Sequence, residues 1–192
     1  MKYLVTGKEM KLLDQNTTNC FQVPELVLME QAAMCFVWRL CDILKETIEK
    51  RKTKGIIFCG LGNNGADGLA IARLLNEKGI YTEVCKVNVL LHKNNTTSES
   101  YQVQERIYGA YHYPEQNDIS FVLENEYDFV IDAVFGIGLS RNLNEEYSSN
   151  VDNSLFTNTD VLVEETFVND YEENNLNINK NVKIDYNKYN DL

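Results

Sequence analysis

The feature that most constrains this fold is a short apolar run that ends on glycines and then turns helical. Gly55-Ile56-Ile57-Phe58-Cys59 is a continuous apolar stretch of the length expected for a buried parallel strand. The glycine-rich loop Gly60-Leu61-Gly62-Asn63-Asn64-Gly65-Ala66-Asp67-Gly68 follows it. Residues 67–78 then carry helical periodicity, with Asp67 at the start and Gly79 at the end. The alternation recurs: residues 81–87 and 128–132 read as further strands, and residues 97–109 as another helix. Strands separated by helices join through right-handed crossovers into a parallel sheet, so the expectation is an α/β fold. Such sheets bind ligands at the carboxyl ends of their strands, where both glycine loops of this chain fall.

Two helices precede the first strand. Thr6-x-x-Glu9 is a capping-box pattern that starts a helix running to about Asn16. Pro24 suits the first turn of a second helix, because its missing N–H costs nothing there. Val27, Leu28, Ala32, Cys35, Phe36, Leu40, Ile43 and Leu44 recur at helical spacing and predict a core stripe on a helix reaching about Arg51.

The first loop satisfies G-x-G-x-x-G through Gly60, Gly62 and Gly65. Glycines let a backbone approach a pyrophosphate, and the helix that follows supplies free amides and positive potential. Glu83 lies about where such a fingerprint places a ribose-binding acid. An ordinary strand-to-helix turn is the alternative. The Asn63-Asn64 pair is the distinctive part, offering amide oxygens to a cation and donors to a ligand. Asp67 reads either as a helix cap or as a ligand contact. The second loop is Asp132-Ala133-Val134-Phe135-Gly136-Ile137-Gly138-Leu139-Ser140-Arg141. An Asp closing a buried strand needs a partner, an amide or a cation. Gly136-x-Gly138 can present amides to an anion, and Arg141 can pair with phosphate. The competing reading is an Asp satisfied by local amides, beside an exposed Arg.

Composition narrows the function. The formal net charge is −11, which opposes a nucleic-acid or anionic-membrane surface. No apolar run is long enough for a transmembrane helix, and the first residues lack a signal peptide's apolar stretch, so a cytoplasmic protein is expected. None of the five cysteines is in C-x-x-C spacing, which reads as reduced thiols rather than a zinc site. Cys35, Cys41, Cys59 and Cys85 sit in apolar runs and are expected in the core. His92 and His112 are expected at the surface rather than in catalysis.

Charge is uneven along the chain. Residues 144–192 hold 11 acidic and 3 basic residues, with 12 Asn and no Gly, Pro or Ala. One reading is a diverged, partly disordered acidic tail behind a domain spanning 1–143. The other is one more strand around Asp160-Val161-Leu162-Val163, packed on the main sheet.

These residues resemble the YjeF N-terminal domain family, the NAD(P)H-hydrate epimerases. Four segments carry the resemblance in family order and spacing: Leu4-Val5-Thr6 with Glu9-Met10; Pro24 to Glu30; Gly60 to Gly68; and Asp132 to Leu139. The resemblance implies a Rossmann-like three-layer α/β/α sandwich with a mostly parallel sheet, often a homodimer. It implies interconversion of the R and S forms of hydrated NADH or NADPH (NADHX, NADPHX), coupled to an ADP- or ATP-dependent dehydratase. Carried over by match, Asn63, Asn64, Gly65, Ala66 and Asp67 contact the substrate, as do Gly136, Ile137, Gly138, Leu139, Ser140, Arg141 and Asn142. Asn64 and Asp132 hold a potassium ion, hard oxygen donors suiting a hard cation.

The departures lie downstream. The family's next strand ends in Asp-x-Pro-Ser-Gly, whose Asp is the expected acid/base. Here the nearest candidate stretch is Val161-Leu162-Val163-Glu164-Glu165-Thr166, in which Glu165 is the candidate to stand in for that Asp and nothing replaces the Pro-Ser-Gly turn. Ile137 replaces a usual Thr. The chain reads as an epimerase domain truncated or diverged after about residue 143. Two other functions stay open: a catalytically impaired nucleotide-binding or protein-interaction module, and an NAD(P)-dependent oxidoreductase resting on the literal G-x-G-x-x-G.

Overall fold

A computed structural model describes residues 5–87, 96–117, 119–136 and 162–164. In chain order the elements are α1 (Gly7–Phe21), α2 (Glu25–Ile43), α3 (Lys45–Lys50), β1 (Lys54–Cys59), α4 (Asn63–Glu77), β2 (Tyr81–Lys86), α5 (Glu99–Ala110), β3 (Glu115–Gln116), α6 (Ile119–Glu124), β4 (Phe129–Ala133) and β5 (Leu162–Glu164). The five strands form one sheet in the order β3-β2-β1-β4-β5. Every adjacent pair is parallel, as the strand–helix alternation requires.

Strand side chains alternate between two cores. Ile57, Cys59, Val84, Phe129, Ile131 and Ala133 face one layer, where Ala66, Leu69, Ala70 and Leu75 of α4 meet α2 and α5. Ile56, Phe58, Cys85 and Val130 face the other, against Val122 of α6 and Tyr127. The chain is therefore a Rossmann-like α/β sandwich, with α4 central on one side.

Several boundaries differ from the sequence expectation for physical reasons. The Thr6–Glu9 capping box is present, with Thr6 N–H donating to Glu9 Oε2 at 2.7 Å, but α1 runs on to Phe21. On α2 the buried line is Met29, Ala33, Val37 and Leu40, displaced from the predicted stripe. Val27 is exposed, and Leu28, Ala32 and Phe36 are only half-buried. A break at Leu44 separates α2 from α3, so the single long helix is two. Cys59 and Cys85 are buried as expected, whereas Cys35 is exposed on the outer side of α2 and Cys41 is intermediate. His112 is exposed; His92 lies outside the described residues. β3 and α6 had no distinct sequence signal. The strand reading near residue 160 has its counterpart in β5, which pairs Val130↔Leu162, Ile131↔Val163 and Asp132↔Glu164.

A buried ion network ties the helical layer together. Arg73 on α4, 8% exposed, donates to Glu30 of α2 and to Glu77, the latter at 2.9 Å. Gln104 of α5 also donates to Glu30, at 2.9 Å. Removing one partner strands a buried charge. Arg73→Met, which leaves the partly exposed carboxylates of Glu30 and Glu77 without their cation, is expected to destabilise the protein by roughly 2 kcal/mol, read from urea denaturation; Glu77→Ala, which leaves Arg73 its bond to Glu30, is expected to cost less.

Candidate functional site

The site forms where β1 and β4 end side by side under the start of α4. The Gly60 N–H donates to the Ala133 carbonyl at 3.0 Å, extending the β1–β4 pairing past both strands. Close packing then fixes the glycines. A Cβ on Gly60 would lie 2.2 Å from the Val134 carbonyl oxygen. One on Gly65 would lie 1.9 Å from the Gly60 carbonyl oxygen, and one on Gly68 would meet Ala133 Cβ at 2.7 Å and Cys59 Sγ at 2.8 Å. Gly62 has nothing within 4 Å of its Cβ direction. Gly60, Gly65 and Gly68 thus press α4 onto the strand ends, while Gly62 leaves its surroundings open.

The helix starts earlier than expected. Gly62 is the N-cap of α4, and Asn63, Asn64, Gly65 and Ala66 form its first turn. Asp67 therefore sits inside the helix, and the reading of Asp67 as its cap is overturned. The first helical bond runs from Ala66 N–H to the Gly62 carbonyl at 3.1 Å. The amides before it have no intrahelical acceptor, and no acidic residue lies in this first turn. The end of α4 is a donor-rich, electropositive surface suited to an anion.

Asn63 Nδ2 donates to Glu25 Oε1 at 2.9 Å. Asn64 Nδ2 is buried without a partner, and its side chain lies beside Gly136, whose Cβ would be 3.3 Å from Asn64 Cβ. Asp132 is the penultimate residue of β4, and one of its oxygens accepts from Val134 N–H at 3.0 Å. Asn64 and the turn after Asp132 therefore face each other across the joint. Ile137, Gly138, Leu139, Ser140, Arg141, Asn142 and Glu165 lie outside the described residues.

Burial pushes the Asp67 carboxyl from its ordinary 3.8 up to about 7, and the neighbouring charges of Glu25 and then Asp14 add to the rise. The folded chain thus holds this proton more tightly than the unfolded one. The associated stability is complete below pH 3.8 and is lost as the pH rises through about 7. Melting temperature is expected to fall across that window, and Asp67→Asn to flatten the fall. A variant whose thermal melts track the wild type from pH 4 to about pH 8 would contradict the assignment.

Glu83 does not reach the site. It lies in the middle of β2, 3% exposed, accepting from Tyr127 Oη at 2.7 Å and Tyr81 Oη at 3.0 Å, with Lys54 Nζ at 3.5 Å. Its carboxylate serves the amino-terminal half of the sheet, so the ribose-acid reading of Glu83 is corrected. Sequence reading also missed Glu25 and Ser100. Ser100 Oγ donates to the same Glu25 oxygen at 3.2 Å, and Glu25 forms part of a cleft of about 240 Å³ with Pro24, Leu26, Glu99, Ser100 and Val103. The available signal was positional: Glu25 opens α2 directly after Pro24, and Ser98 caps α5.

A family model described as YjeF-related protein N-terminus matches residues 25–162, which include both loops and the four principal strands of the sheet up to the first residue of β5. The chain belongs to this YjeF-related family. Among its relatives, a protein named NAD(P)H-hydrate epimerase from Limosilactobacillus reuteri (strain ATCC 55730 / SD2112) is 34% identical over 160 residues, covering 83% of this chain and 70% of the relative. Proteins of the same name from Oenococcus oeni and Weissella koreensis are 33% and 35% identical, over 77% and 71% of this chain and 66% and 57% of theirs. The crystal structure of yeast ynu0 is similar with a TM-score of 0.63 and 19% identity, over 79% of this chain and 63% of that one. At that identity the likeness speaks to the YjeF fold alone.

A potassium ion is the cation the family resemblance brings, and the side chains here fit one. The buried Asn64 amide has no hydrogen-bond partner for its nitrogen. Turned over, the same amide offers an oxygen. Asp132 adds a carboxylate on the facing turn, completing a pair of hard donors. Among the described residues no group of three or more His, Cys, Asp or Glu could hold a metal, so a cation here would rest on amide and backbone oxygens beside Asp132. No helix among the described residues is long and apolar enough to cross a membrane.

Proposed function

We propose that the chain epimerises hydrated NADH or NADPH at the joint between β1, α4 and β4. The observation that carries this reading is the glycine-held junction. Gly65 packs on Gly60 and Gly60 on Val134, bringing Asn64 of the Asn63–Asp67 turn against Gly136, four residues beyond Asp132. The dinucleotide pyrophosphate binds at the start of α4, where unpaired amides meet positive helix potential. Asn63, Asn64, Gly65, Ala66 and Asp67 are contacts to the dinucleotide substrate. By the family match, Gly136, Ile137, Gly138, Leu139, Ser140, Arg141 and Asn142 are the further substrate contacts.

Asn64 and Asp132 would hold a potassium ion, which would offset phosphate charge. The chemistry belongs to the ring and to a carboxyl group. Electron donation from the ring nitrogen breaks the carbon–oxygen bond of the hydrate. The hydroxyl leaves as water after taking a proton, and water then adds to the other face and gives a proton back. A group with a pKa near neutrality suits both transfers. Asp67 has that property among the described residues, and Glu165 is the second carboxylate, next in sequence after β5. The test is chromatographic. Pure R-form NADHX in potassium buffer is expected to approach the R/S mixture faster with the protein than without it. Equal rates would sink the epimerase reading and leave a binding module.

We also propose a homodimer, supported by large apolar side chains that are exposed among the described residues. α1 has no buried residue, and Leu12, Leu13 and Phe21 on α1 with Val27, Met34 and Trp38 on α2 are exposed. Trp38→Glu is expected to weaken self-association about tenfold or more by light scattering. A wild type monomeric at high concentration contradicts this.

A further inference from the structure

One carboxylate oxygen joins the starts of three helices. Glu25 is the first residue of α2, Asn63 the first of α4, and Ser100 the second of α5. Glu25 Oε1 accepts from Asn63 Nδ2 at 2.9 Å and from Ser100 Oγ at 3.2 Å. The Ser98 N–H closes the same junction by donating to the Leu61 carbonyl at 3.0 Å.

We propose that Glu25 is a positioning residue for the dinucleotide site: it orients the Asn63–Asp67 turn through its bond to Asn63, with Ser100 fixing the carboxylate from the opposite side. The proposal rests on the epimerase reading for its kinetic consequence and on the hydrogen bonds alone for its structural one. Held this way, the Asn63 side chain cannot swing over the open side of Gly62, where nothing lies within 4 Å of the Cβ direction. The turn reaches its ligand already ordered, which lowers the entropy cost of binding. The bonds need an acceptor oxygen, so a glutamine at position 25 can keep them and an alanine cannot.

The experiment pairs hydrogen exchange with kinetics on the full chain. In Glu25→Ala the amides of residues 60–68 are expected to exchange faster than in the wild type, and KM for NADHX to rise about fivefold, a larger change than in kcat. In Glu25→Gln both stay within about twofold of the wild type. Glu25→Ala is expected to add nothing to Asn63→Ala, since the two act through one bond. Unchanged exchange of residues 60–68 in Glu25→Ala overturns the proposal whatever the activity. So does equal loosening in the alanine and glutamine variants. If the wild type turns over no NADHX while alanine, but not glutamine, loosens the segment, the positioning role stands and the epimerase reading falls.

Discussion

Replacing Gly65 by alanine is expected to break the fold and the site together. The added methyl would lie 1.9 Å from the Gly60 carbonyl oxygen and 2.6 Å from its carbon, both main-chain atoms that cannot rotate away. Relief requires α4 to lift from the ends of β1 and β4, against the buried contacts of Ala66, Leu69 and Ala70. Overpacking against a backbone at this distance costs at least about 3 kcal/mol, the upper part of the usual range. The urea midpoint should drop accordingly, and dinucleotide binding should vanish with it. Gly62→Ala is the control. Its Cβ direction is open and its φ is −90°, so the protein should fold with a change under about 1 kcal/mol and lose affinity only through ligand contact. Equal stability of the Gly65 and Gly62 variants would mean that the junction is not as tight as described.

Removing the carboxylate of Asp132 is expected to cost the most activity for the least stability. The bond its carboxylate accepts inside the turn, from Val134 N–H at 3.0 Å, is worth about 1 kcal/mol. Its proposed role, opposite Asn64 at the meeting of the loops, is electrostatic and concerns bound phosphate and cation. Loss of such a preorganised group lowers rates on the order of a hundredfold or more. Asp132→Ala should therefore melt within a few degrees of the wild type yet lose epimerisation, and its residual rate should no longer respond to potassium. Asp132→Asn keeps an oxygen but not the charge and should fall between the two. A variant that is inactive because it is unfolded would contradict this separation, and circular dichroism decides that point.

The parallel sheet was legible because its signals are local and repeated. Gly55–Cys59 and the run from Phe129 read as buried strands because both faces of a parallel sheet are covered. The glycine loop was legible as a motif, but its division of labour was not. Gly60, Gly65 and Gly68 serve close packing, and only contacts across the sheet reveal this. The start of α4 was misjudged because Asn and Gly have poor helix propensity, and tertiary packing on β1 and β4 overrode it. The α2 stripe shifted because that helix packs on α4, whose surface no local pattern encodes. Glu83 kept the spacing of a ribose acid yet serves Tyr127 and Lys54, since sequence distance does not say which face of a strand a side chain takes. Glu25 escaped notice for the opposite reason: its partners, Asn63 and Ser100, are 38 and 75 residues away.

The central claim, an epimerase site built at the β1–α4–β4 junction, meets its most direct test in a coupled assay. Purified wild type and Asp132→Ala are mixed with R-form NADHX in potassium buffer, and an S-specific dehydratase reports each epimerisation by restoring NADH absorbance. The predicted result is a wild-type rate above the spontaneous one that Asp132→Ala loses while remaining folded. A wild-type rate equal to the spontaneous rate, in a protein that still binds NADPH, would contradict the claim and leave a dinucleotide cradle without catalysis.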